Sequence, residues 1–150
     1  PDFISLINVL LEAGDTTKAL HHLNIFTSKN QSVAAHVITV KILLSRGDWE
    51  ETYKEVVKGL ETASNTPSYK DQYSFLLYAK GLIYLNDQND KMAVEYFTRA
   101  IFKDGSNSEA YLERGKLYFK QGKLNQAKKD LEHSAELGNV VAQAMLHNEN

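Results

Sequence analysis

Histidine is the side chain most often met at a metal or an acid/base step, and this chain has five: His21, His22, His36, His133 and His147. On a helix, zinc ligands sit three or four residues apart, where they share a face. His21 and His22 are adjacent and point to different sides of a helix, so they cannot hold one ion. We read all five as solvated or packed side chains. Carboxylates gather at Asp48, Glu50, Glu51 and Glu55, in the first turn of a predicted helix, where negative charge favours the macrodipole. Cap chemistry explains them better than an acid/base pair. Asn86, Asp87, Asn89 and Asp90 look like a calcium loop but lack the glycine and the distal Glu that such a loop needs. They read as turn and N-cap residues. Late in the chain, Arg114, Lys116, Lys120, Lys123, Lys128 and Lys129 lie near Tyr111, Tyr118 and Phe119, the ingredients of a nucleic-acid patch. They alternate with Glu109, Glu113, Asp130 and Glu132, several at i, i+4 spacing, which favours a solvated face of mixed charge. The chain has no Cys, which excludes disulfides, thiolate zinc sites and a thiol nucleophile. No Gly-rich phosphate loop, nucleophile elbow or metalloprotease motif is present. No enzyme activity, cofactor or metal is therefore expected.

Any element that positions these side chains must be a helix. Apolar residues make up 43% of the chain, enough for a core, while Pro occurs twice and Gly eight times. The formal charge of -2 selects no polyanionic partner, and nucleic acid is not expected. No segment reaches the roughly 18 apolar residues that span a bilayer, so membrane insertion is not expected either. The opening segment PDFISLINVLLEAGD has no basic leader, and we read it as a helix, not a signal peptide. A cytoplasmic setting within a larger parent protein is the expectation, provided that no signal or anchor segment precedes it. Apolar spacing predicts helices near 2–13, 16–29, 33–46, 49–62, 69–86, 90–103, 107–121, 124–137 and 139–148. Ser106 and Glu109 form a capping-box pattern at the start of the seventh. Trp49 follows the Gly47-Asp48 turn.

The helices repeat. Gly81 and Gly115, Tyr84 and Tyr118, Ala93 and Ala127, Phe97 and Leu131, and Ala100 and Ser134 all lie 34 apart in one register. Upstream the period is 33, matching Leu10 with Leu43, Gly14-Asp15 with Gly47-Asp48, and Leu23 with Val56. An insertion of about seven residues, 62–68, separates the two sets, and Pro67 disfavours a helix at Thr66. The segments AKGLIYLNDQNDKMAVEYFTRAI and ERGKLYFKQGKLNQAKKDLEHSAEL resemble tetratricopeptide repeats. Gly81, Tyr84, Ala93, Phe97 and Ala100 fit that family's pattern in the third unit, and Tyr111, Gly115, Tyr118 and Ala127 in the fourth. The first two units depart from it, with Ile7 and Val40 where Gly is expected. The resemblance implies an all-α, right-handed superhelical array of antiparallel helix pairs. It would form a single domain over 1–150, with repeats near 1–32, 33–66, 69–106 and 107–138. A terminal helix at 139–148, carrying Val140, Val141, Ala142, Met145 and Leu146, would cover the end of the stack or begin a further repeat.

Such arrays bind partners along the first helix of each pair, and the resemblance makes this a protein-binding scaffold or adaptor. Register places Ile4, Asn8 and Leu11, then Val37, Lys41 and Leu44, on the inner faces of units one and two. Phe75, Tyr78, Leu82 and Leu85 follow in unit three, and Glu109, Leu112, Lys116 and Phe119 in unit four. Most are apolar, which suits a peptide or protein segment with apolar anchors. A chaperone for an apolar client and an RNA-binding array are the alternatives. Family members that grip acidic chaperone tails use Lys, Asn and Arg on successive inner faces. The matching positions here are Ile4, Asn8, Ile38, Phe75 and Ala79, of which Asn8 alone fits, so no carboxylate-clamp binding of such a tail is expected.

Overall fold

The computed structural model describes residues 2–64 and 66–148. Among these residues there are nine α-helices and no strand. They are α1 (Phe3–Glu12), α2 (Thr16–Thr27), α3 (Val33–Arg46), α4 (Trp49–Ala63), α5 (Lys70–Asn86), α6 (Asp90–Lys103), α7 (Ser108–Lys120), α8 (Leu124–Glu136) and α9 (Val140–Asn148). Each predicted helix is present with bounds shifted by at most two residues. The insertion forms a break: Thr66 is extended (φ -130°, ψ 103°), and Pro67 opens a 3-10 turn that leads into α5. Asn65 lies outside the described residues. By packing, the chain divides into two compact units, Pro1–Gln72 and Tyr73–Asn150.

In the first unit the pairs run antiparallel. Phe3 at the start of α1 stacks on Phe26 at the end of α2, with ring centroids 3.9 Å apart. Ile7, Ala19, Leu23, Ala35 and Ile42 form the buried core, so α1, α2 and α3 share one apolar centre. Three helices begin on side-chain caps: Asp2 accepts from Ser5 N at 2.9 Å, Asp15 from Lys18 N at 3.0 Å and Ser32 from Ala35 N at 3.2 Å. Trp49 is half-buried.

In the second unit Gly81 of α5 lies against Phe97 of α6, and a Cβ there would fall 2.5 Å from the ring. Gly115 of α7 meets α8 less tightly, with Asp130 Cβ 3.2 Å and Leu131 Cγ 3.3 Å from the place of a Cβ. Small residues at this register thus do let the paired backbones nest. Hydroxyls tie the same pairs. Ser74 Oγ donates to the Ala100 carbonyl at 2.7 Å, and Ser134 Oγ donates to the Ser108 carbonyl at 2.7 Å. Positions 74 and 108, and 100 and 134, are each 34 apart, so one contact recurs with its donor at opposite ends. The capping box is corrected. Asn107, not Ser106, caps α7: its side chain accepts from Ala110 N at 3.0 Å and donates to Ser74 Oγ at 2.9 Å. Ser106 is held one step earlier, both its N–H and its hydroxyl donating to Asp104.

The terminal helix α9 covers part of α8, joining Leu112, Leu131 and Ala142 in one cluster with Ala135, Met145 and Leu146 beside it. Val140 and Val141 do not take part; they are 73% and 48% exposed, because they begin α9 on its outward side.

The turns show a shared device. Gly14 and Gly47 end their helices at φ 76° and 72°, and Gly122 does so at φ 74°. Left-handed backbone of this kind costs a glycine least. Gln88 stands 34 residues before Gly122 and adopts φ 58° without that advantage.

Candidate binding faces of the helix pairs

The residues that register assigns to an inner face in the first unit fall into three groups. Asn8 and Lys41 are exposed, whereas Leu11 and Leu44 are half-buried, Leu11 against the core. Val37 is buried, at 8% exposure, and so presents no surface to a partner. Its placement on the inner face is corrected, since a side chain this covered has almost no area to offer.

In the second unit Phe75, Tyr78, Leu82 and Leu85 form one half-buried stripe along α5. The reason is helical geometry, since steps of three and four residues keep them on one side. Other sides of α5 are occupied, with Leu76 and Ala79 fully buried and Leu77 and Ile83 nearly so. The Tyr78 ring lies 6.2 Å from Phe75 and 5.8 Å from Phe97, so it is braced by both its own helix and α6. Burial pushes the Tyr78 hydroxyl above its ordinary pKa, and the Glu113 and Glu109 carboxylates of α7 add to this. At neutral pH the hydroxyl is therefore protonated and able to donate. On α7, Lys116 is half-buried and its ammonium donates to Glu113 at 2.8 Å. Phe119 is 53% exposed. Leu112 is the second correction: it is buried with Leu131 and Ala142, because α9 closes over that side of α7.

Two polar clusters were not legible in the sequence. His36 Nδ1 lies 2.6 Å from Glu55 Oε1, and His36 Nε2 lies 3.4 Å from Thr62 Oγ1. The pair bridges α3 and α4 at 5% and 9% exposure, so it faces no substrate. Glu55 is thus no helix-start charge of α4, unlike Glu50 and Glu51, which pair with Lys54 at 2.9 Å. In the second unit Arg114 makes a two-pronged contact with buried Asp130, Nε to Oδ2 at 2.7 Å and a terminal nitrogen to Oδ1 at 2.8 Å. A further donation to Thr98 Oγ1 at 3.1 Å joins α6, α7 and α8. Burial works against the Arg114 charge, but Asp130 outweighs it and leaves the guanidinium harder to deprotonate than usual. Both residues leave the solvated mixed-charge face on which their spacing had placed them.

Among the described residues no group of three potential ligands could hold a metal ion. No helix among them is long and apolar enough to cross a membrane.

Comparison with known proteins follows the same register. The tetratricopeptide-repeat model matches residues 76–101 and 108–137. Compared by sequence with curated proteins, the chain matches none. Among solved structures, Pseudomonas aeruginosa PilF superposes with a TM-score of 0.76 at 18% identity, over 89% of this chain and 58% of that one. This chain therefore spans less than two thirds of that relative. YrrB, described as a TPR protein with an unusual peptide-binding site, gives a TM-score of 0.65 at 17% identity, over 97% and 76% of the two chains. The first TPR of Spaghetti (RPAP3), bound to the HSP90 peptide SRMEEVD, gives 0.62 at 23% identity, over 79% and 90%. At these identities the likeness establishes the fold.

Proposed function

We propose that the chain is a protein-interaction scaffold that holds a peptide or protein segment, a reading supported by the match of residues 76–101 and 108–137 to the tetratricopeptide-repeat model. The observation that carries this reading is the apolar stripe Phe75, Tyr78, Leu82 and Leu85, left half-covered on a helix whose other sides are buried. On α7 the ring of Phe119 is exposed and lines a hollow with Leu124, Ala127 and Leu131 of α8, which we propose as a further contact for the same partner. A partner's apolar side chains would complete the burial of this stripe, and the protonated Tyr78 hydroxyl would donate to a partner carbonyl. Catalysis is not part of the proposal, since the histidine–carboxylate pair that the fold assembles, His36 with Glu55, is sealed between α3 and α4. The related structures solved with or described as binding peptides support a peptide partner in kind. An acidic tail is not the occupant we propose for the stripe: Phe75 and buried Ala79 stand where a carboxylate grip would need polar cations or amides.

The test is affinity capture from the native cell with the wild-type chain, with Leu82→Asp and with Phe119→Asp. Phe119 is exposed enough that its replacement leaves the packing intact. We expect both variants to keep wild-type helicity by circular dichroism and to lose a common partner by tenfold or more, on the order of 1.4 kcal/mol. Partners retained equally by two folded variants would rule the stripe out.

A further inference from the structure

Away from the inner face, one aromatic ring stands almost wholly in water. Phe102, on the last turn of α6, is 92% exposed. Beside it opens a hollow of about 400 Å³, lined by Tyr73 and Leu77 of α5 and by Thr98, Arg99, Phe102 and Lys103 of α6. Tyr73 and Leu77 are one helical turn apart, as are Thr98 and Phe102, so one edge of α5 and one edge of α6 line the hollow along the seam of one helix pair. Leu77, 7% exposed, belongs to the core and forms the floor. Tyr73 and Phe102 are the walls. Lys103 Nζ stands 4.8 Å over the Tyr73 ring and fixes that wall in place. Arg99 pairs with Glu95 at 2.8 Å and reaches over Tyr96 at 5.0 Å. Of the two cations that line the hollow, Arg99 already holds the Glu95 carboxylate, whereas Lys103 lies over a ring.

An apolar side chain left this far in solvent, next to an apolar recess, is what a docking site presents before its partner arrives. The charge of the rim selects the partner. Lys103, and Arg99 on exchanging Glu95 for a partner carboxylate, would attract acidic residues beside an anchor and disfavour basic segments. We propose that this hollow is a second docking site, distinct from the α5 stripe, for a partner segment with one large apolar side chain between acidic residues. The anchor lies between Phe102 and Tyr73 on Leu77, while its acidic neighbours meet Arg99 and Lys103.

The experiment titrates the isotope-labelled protein with three probes and follows its amide resonances. One probe is a synthetic peptide with a single Phe between two Glu-Glu pairs; the second carries Lys at every Glu position; the third is a single-stranded RNA oligonucleotide. The expected result is that the acidic peptide alone shifts Tyr73, Leu77, Thr98 and Phe102. Phe102→Ala should weaken it by about tenfold or more while circular dichroism is unchanged, because the ring has almost no packing to lose. Lys103→Glu should abolish the preference for acidic flanks, and Leu82→Asp should leave the binding intact. Equal binding of the basic peptide, binding of the oligonucleotide in place of the acidic peptide, or indifference to Phe102→Ala would each overturn the proposal.

Discussion

Gly81 and Gly115, 34 residues apart and at the glycine position of the repeat pattern, both lie where paired helices approach, and the contacts around them grade the two. Beside Gly81 a Cβ would meet the fully buried Phe97 ring at 2.5 Å, and a ring locked on all sides has nowhere to go. Overpacking of that kind costs about 1–3 kcal/mol, more than the roughly 1 kcal/mol that Ala regains over Gly in a helix. Gly81→Ala should therefore destabilise the protein. Around Gly115 the nearest atoms stand at 3.2 to 3.4 Å, so Gly115→Ala should stay within about 1 kcal/mol of wild type. Chemical denaturation of both variants checks the order, and a Gly115 variant that loses more than its Gly81 counterpart would refute it. Arg114 and Asp130 were not legible in this way. Alternating charges on two helices look alike whether they face water or each other, and a separation of 16 residues across a turn leaves no trace in the period of either helix.

Helices were the most legible scale, because caps and apolar spacing are both local. The exceptions are also local in cause. Asn107 and Ser106 are neighbours that both suit a cap, and the turn at Asp104 decided between them by engaging Ser106 first. Asp15 illustrates what a cap contributes. Its carboxylate is held below the ordinary value by the hydrogen bonds and charge of Lys18. A carboxylate lowered in the folded state stabilises it above the unfolded pKa of about 3.9, and that contribution fades as pH falls through the lower folded value. On acidification the first turn of α2 should fray, seen as faster amide exchange and a titrating shift at Lys18 N–H. Asp15→Asn, which keeps an accepting oxygen without the charge, should show no such titration. A wild-type midpoint at or above the ordinary carboxylate value would contradict the assignment.

For the whole molecule, the period changes from 33 to 34 across the insertion, where a single domain over 1–150 was expected, and by packing the chain divides into two compact units. The division falls at Gln72, inside the first turn of α5, and not at Pro67, where the sequence breaks. Backbone chemistry marks where a helix must stop, whereas a unit boundary depends on which side chains touch, and no short motif encodes that. The single tryptophan, Trp49, belongs to the first unit. Its fluorescence reads that unit alone, while circular dichroism reads all helices, so denaturant unfolding followed by the two should give different midpoints. Coincident curves would show one cooperative body. Of the proposed binding residues, register placed Phe75, Tyr78, Leu82 and Leu85 on one side of α5, where they lie half-buried, but it also assigned the buried Val37 and Leu112 to inner faces, since a modest rotation of a helix separates an open face from a packed one. Phe102 went unnoticed because an exposed ring and a buried ring are the same letter. The recurring serine contact has a consequence for how such a chain can change over generations. Because the hydroxyl serves from either end, it is portable: Ser74→Ala paired with Ala100→Ser would move the donor across the seam and restore the bond to the opposite carbonyl. Two copies of a motif can in this way lose their likeness in letters while the clasp that joins their rods stays shut.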